Sequence, residues 1–119
     1  MAGRAGGARA LDPEGRIEEL QAKFVRGLGD PTRLRIVRHL LEGSRSVSDL
    51  MAQLQMPQSR VSNHLACLKW CGYVAAERRG RSVIYSVTDE RVRSIVELTH
   101  AIVTDNAQQI AHCAQIADP

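Results

Sequence analysis

At 119 residues the chain has room for one domain, and with only 3% aromatic residues its core must be built from Leu, Ile, Val and Ala. A net charge of +3 is too small to prove a nucleic-acid partner, and no apolar run reaches the roughly 18 residues of a membrane span. Three cysteines, with no apolar secretory segment behind Arg4 and Arg9, argue against a secreted disulfide scaffold, predict a cytoplasmic location and leave metal or redox chemistry open.

Gly, Ala and Arg dominate the start of the chain, so residues 1–12 are expected to form a disordered tail before a domain at 13–112. Pro13 suits the first turn of a helix, and Ile17, Leu20, Phe24 and Leu28 recur at helical spacing along one face. Gly29 breaks this helix. Asp30 then caps a second one, with Pro31 at its first position and Leu34, Val37, Leu40 and Leu41 on one side. Ser46 and Asp49 have the spacing of a capping box for a short third helix carrying Val47, Leu50, Met51 and Leu54. Pro57 opens a fourth helix with Val61, Leu65 and Leu68 inside, and Gly72 closes it. The period then switches to two on either side of Gly80, which predicts a β-hairpin. Thr88 or Asp89 caps a last helix whose stripe is Val92, Ile95, Val96, Thr99, Ile102 and Val103. Residues 113–119 follow as a short tail.

Charge is distributed unevenly over this order. Residues 30–81 hold nine Arg or Lys against four Asp or Glu, whereas two Arg face five acids from residue 84 onward. The basic middle is therefore the place for phosphates. It contains a short helix (46–54) and a second helix (58–70) joined by Gln55-Met56-Pro57, a helix-turn-helix whose second member would enter a major groove. That helix offers Gln58, Ser59, Arg60, Ser62, Asn63 and His64. Gln and Asn match adenine edges, Arg matches guanine or phosphate, and none of the six is acidic. Arg78, Arg79 and Arg81 crowd the hairpin tip, where a wing would grip backbone or minor groove. The fold expected is mainly α with a small β-hairpin wing, a winged helix-turn-helix of order α-α-α-α-β-β-α. Two copies joined through the first and last helices would bind a palindromic double-stranded operator. No nucleophile with a base, no phosphate-cradling loop and no useful carboxylate pair is present, and His39, His64 and His100 are scattered. Neither enzymatic activity nor a small-molecule substrate is expected.

Three stretches carry a resemblance to a known family. Leu28-Gly29-Asp30-Pro31-Thr32-Arg33-Leu34-Arg35-Ile36, Ser59-Arg60-Val61-Ser62-Asn63-His64-Leu65 and Gly80-Arg81-Ser82-Val83-Ile84-Tyr85-Ser86-Val87 resemble the ArsR/SmtB family of metal-responsive repressors over residues 17–104. The resemblance implies a homodimer that binds its operator when metal-free and lets go when metal binds. The arsenic/lead type of site needs Cys-x-Cys-Asp-Leu, but this chain has Ser46-Val47-Ser48-Asp49-Leu50. The zinc type keeps Asp89 but meets Arg91, Ile102 and Asp105 at its other positions. Cys67-Leu68-Lys69-Trp70-Cys71-Gly72 is similar to the CmtR-like cadmium/lead-sensing branch, in which a third Cys from the C-terminal region completes the site. This implies Cys67, Cys71 and Cys113 as ligands to Cd(II) or Pb(II). Residues i and i+4 share a helix face, and soft thiolates select soft ions. Sensing of Hg(II) or arsenite by the same fold, and a cysteine-based redox switch, are the alternatives. Taken alone, Cys67 and Cys71 would fit equally well as small buried residues.

Overall fold

Local signals fix most helix ends. A computed structural model describes residues 13–117, so the expected tail at 1–12 lies outside the described residues. Helix α1 spans Pro13–Arg26 and α2 spans Pro31–Glu42. The Asp30 carboxylate accepts the Arg33 N–H at 3.0 Å, satisfying one orphan donor at the start of α2. Ser46 and Asp49 form the full capping box of α3 (Val47–Leu54), with reciprocal bonds of 2.9 and 3.0 Å. Helix α4 spans Gln58–Cys71 and α5 spans Glu90–Ala111, the latter capped by Asp89.

The strands are β1 (Arg45–Ser46), β2 (Ala75–Arg79) and β3 (Ser82–Ser86), in the antiparallel order β1-β3-β2. The hairpin pairs Ala75 with Ser86 and Arg79 with Ser82, and Gly80 takes the positive φ of its turn. Strand β1 adds an element to the expected order. Arg45 pairs with Tyr85 and Ser46 with Ile84, so the wing is tethered to the chain just before α3. Two residues are too few to show an alternating period, and only the long-range pairing reveals them.

The core joins α2 (Ile36, Val37, Leu40), α3 (Leu50), α4 (Val61, Leu65, Leu68) and α5 (Val92, Val96) with Tyr73 and Val74. Tyr73 owes its place to Gly72, whose φ of 91° lets the end of α4 fold back. Tyr73 N–H reaches Leu68 O at 2.9 Å and Gly72 N–H reaches Lys69 O at 3.1 Å. The Tyr73 ring then stacks on Phe24 with centroids 4.2 Å apart, and its hydroxyl donates to Phe24 O at 2.7 Å. These contacts hold α1 against the end of α4. Arg93 donates to Leu41 O at 2.8 Å and joins α5 to α2. Large apolar side chains stay exposed on α1 (Ile17, Val25) and on α5 (Leu98, Ile102, Val103, Ile110). Among the described residues no helix is long and apolar enough to cross a membrane.

Candidate nucleic-acid interface and thiol pair

Helix α4 is pinned from behind by the fully buried Val61, Leu65 and Leu68, which leaves its other side to solvent. Gln58, Ser59, Arg60 and Asn63 are exposed, and Ser62 is half-buried. His64 lies differently from the rest of the expected set. Its side chain is only 19% exposed and turns toward the start of α2, with Nδ1 4.0 Å from Asp30 Oδ2 and 3.4 Å from an Arg33 guanidinium nitrogen. Arg78, Arg79 and Arg81 are exposed at the wing tip, and Arg79 is shared with Glu77 at 3.3 Å. The wing and the front of α4 therefore present basic and amide groups without an intervening acid, apart from Glu77 at the wing's own edge.

Cys67 and Cys71 lie on the back half of the same helix, both half-buried. Burial, the neighbouring charge of Cys67 and a hydrogen bond that the Cys71 S–H donates to Cys67 push the Cys71 thiol above its ordinary range, while Arg33 and Lys23 pull the other way. Spaced i and i+4 on α4, the two thiols share one helix face, a disposition that suits two ligands to one soft ion. Cys71 Sγ also packs on the end of α1, because a Cβ built on Gly27 would come within 3.1 Å of it. Cys113 is exposed, just past the end of α5. Among the described residues of one chain, no three His, Cys, Asp or Glu side chains gather into a metal-holding cluster. The fold brings Cys67 and Cys71 together but does not bring Cys113 to them within a subunit.

Arg33 escaped the sequence reading. Its Nε donates to Gly27 O at 2.7 Å, one terminal nitrogen donates to Arg26 O at 3.3 Å, and the other meets His64. It closes the orphan carbonyls at the end of α1 while touching α4. Tyr73 was also missed. No local pattern marks either residue, since both act across more than one element.

Comparison with known proteins agrees with this geometry. Residues 30–76 match the profile described as "Bacterial regulatory protein, arsR family". The chain is 42% identical over 95 residues to a probable mercury resistance operon repressor of Streptomyces lividans, covering 80% of this chain and 76% of the relative. It is 40% identical over 93 residues to the regulator CmtR of Mycobacterium bovis, covering 77% and 79%. It also resembles the solution structure of a homodimeric winged helix-turn-helix DNA-binding domain from Mycobacterium bovis, described as a possible ArsR-family regulator. The TM-score is 0.72 and the identity 26%, over 89% of this chain and 97% of that one. The chain belongs to the arsR family of bacterial regulatory proteins, and it is a DNA-binding transcriptional regulator with the winged helix-turn-helix fold rather than an enzyme.

Proposed function

We propose that this regulator is a cytoplasmic homodimeric repressor that binds its operator when metal-free and releases it on capturing a soft, thiophilic ion through Cys67 and Cys71. One observation carries the reading: the two neighbouring thiols sit on the same helix whose exposed face carries Gln58, Ser59, Arg60 and Asn63. Ser62 and the wing residues Arg78, Arg79 and Arg81 complete the DNA-facing set, and His64 contributes by bracing α4 against α2. The exposed apolar residues of α1 and α5 supply the dimer surface, in keeping with the homodimer of similar fold.

The ion would supply a strong link between sulfurs, favoured over hard cations by thiolate softness. The half-buried pair holds it, and both thiols must surrender their protons to do so. Two sulfurs in one chain satisfy Hg(II), and the similarity to a mercury resistance repressor supports testing it first. Cd(II) or Pb(II) would call on Cys113 of the other subunit as a third ligand, a reading supported by the similarity to CmtR. Because Cys71 packs on the end of α1, ion capture at its sulfur presses on α1, and α1 passes that push to the dimer seam and so to the relation of one subunit's reading helix to the other's. Operator affinity and ion affinity then oppose each other by the same factor, typically ~5–150-fold.

The test is release of a labelled duplex spanning the region upstream of its own gene from the reduced protein, titrated with Hg(II), Cd(II), Pb(II) and arsenite. Sulfur-to-metal charge-transfer absorption is followed in parallel. Cys67→Ser and Cys71→Ser should bind the duplex as before and no longer release it. Release undiminished in the double variant would refute the assignment. A dithiol–disulfide switch of the same pair is a second reading, which the i, i+4 spacing on one helix disfavours. Mass measurement after mild oxidation decides it, since a bridge within one helix turn lies near the long end of disulfide geometry.

A further inference from the structure

Trp70 is the single tryptophan of the chain, and it is 90% exposed. An indole is a large apolar surface to leave in water, and an exposed one on a functional helix asks for a partner. Its position is specific. Ser59, Asn63, Ala66 and Trp70 recur at i, i+4, i+7 and i+11 and are all exposed, so they form one stripe along the front of α4. Trp70 also lines a shallow groove with Ser62, Ala66, Lys69 and, from β3 of the wing, Tyr85. The groove runs between the two elements assigned to DNA.

Distance along the helix decides what reaches it. Ser59 and Trp70 lie about 16 Å apart along the axis at ~1.5 Å per residue. A major groove is roughly 12 Å wide. With the first turns of α4 at base edges, its far end overruns the groove wall, and that wall is a sugar–phosphate strand. The groove chemistry fits such a strand. Lys69 offers an ammonium to a phosphate, the indole N–H is a donor, and the apolar faces of Trp70 and Tyr85 suit deoxyribose. We propose that Trp70 and Lys69 form a backbone clamp that seats the operator's sugar–phosphate strand between the reading helix and the wing. The proposal rests on the DNA-binding reading above and adds a contact to it.

The lone tryptophan makes the test direct. Acrylamide quenching of Trp70 fluorescence is measured on the full-length metal-free protein, alone and saturated with the upstream duplex, with gel shift run alongside. Quenching should fall several-fold on the duplex, and also on a scrambled duplex at low salt, because a strand contact carries no sequence information. Trp70→Ala should weaken both duplexes by about tenfold, Trp70→Phe by less, and Lys69→Gln should lower the salt slope by about one unit. Removal of so exposed a side chain leaves the core intact, and an unchanged melting temperature confirms that. If gel shift shows the duplex bound while Trp70 stays as quenchable as in the free protein, the clamp is refuted and the DNA-binding reading stands. Protection that grows with protein concentration without DNA would assign Trp70 to a second copy and refute the clamp as well. Failure of the wild type to shift any duplex would overturn the DNA-binding reading and the clamp with it.

Discussion

Gly27→Ala tests the junction between the thiol pair and α1. A Cβ at Gly27 would stand 2.9 Å from Tyr73 Cε2, 3.0 Å from Phe24 O and 3.1 Å from Cys71 Sγ. The contact with Tyr73 is closer than a Cβ tolerates, the other two require their neighbours to give by a few tenths of an ångström, and these neighbours cannot retreat independently. Tyr73 is held by its stack on Phe24 and its 2.7 Å hydrogen bond to Phe24 O, and Phe24 O belongs to the helix itself. Overpacking of this kind costs about 1–3 kcal/mol, offset by roughly 0.4–1 kcal/mol from the stiffer unfolded chain. A net loss of about 1–2 kcal/mol lowers the Tm of a domain this size by roughly 5–15 °C, read by circular dichroism at fixed protein concentration. The same methyl pushes the Cys71 sulfur aside, so thiolate absorption on adding Cd(II) or Hg(II) should weaken. Cys71→Ala in the Gly27→Ala background should recover part of the lost stability, because the two substitutions share one contact. A Gly27→Ala protein that melts at or above the wild-type temperature with unaltered metal absorption would refute the packing argument.

Three further outcomes follow from other contacts. Asp30→Ala should lose about 1 kcal/mol of stability through the missing cap of α2, and Asp30→Asn should lose less, measured by urea unfolding. Partial burial pushes the Asp30 carboxyl up, but the Arg33 N–H, His64 and Arg33 charges outweigh it and hold the group below 3.8. A depressed carboxyl stabilises the fold above its unfolded value, so this contribution should vanish as the pH falls through the acid range, and Asp30→Ala should flatten that decline. Tyr73 has the opposite sign. Burial and the nearby Cys71 thiol raise its hydroxyl to about 12, so its contribution is complete below pH ~10 and is lost as the pH climbs toward 12. Tyr73→Phe should remove the late phase of phenolate absorption. Leu98→Glu or Ile102→Glu, at side chains 64% and 58% exposed on the single chain, should shift the dimer to monomer in sedimentation and weaken operator binding in step.

Features written within a few residues were legible in the sequence. The Ser46–Asp49 box, the Asp30 cap with Pro31 and the glycine end of α4 are local chemistry, and each lies where its neighbours demanded. The buried side of α4 followed from spacing alone, whereas on α2 spacing found Val37 and Leu40 but missed the fully buried Ile36 and counted Leu34 and Leu41, which are only half-buried. Contacts that bridge distant residues could not be foreseen. Nothing around Arg45 marks a strand, because its partner is 40 residues away in the wing. His64 sits in a run of exposed polar residues, and only the arrival of Asp30 and Arg33 from the start of α2 turns it inward. The i, i+4 spacing of Cys67 and Cys71 foretold one shared face, whereas the separation of Cys113 from them depends on where α5 ends.

The fixing of α4 has a mechanical consequence. Three side chains root it in the interior, Tyr73 ties its far end to α1, and Arg33 bolts the α1–α2 turn to its flank through His64. Such a helix resists rolling about its own axis, because rotation would pull all of these contacts apart together. The two protomers must therefore act as stiff levers, and whatever separates them from DNA must change the angle and spacing between two rigid bodies. On the proposed mechanism the dimer seam becomes the fulcrum, where small side-chain adjustments at α1 and α5 are magnified at the distant α4 helices.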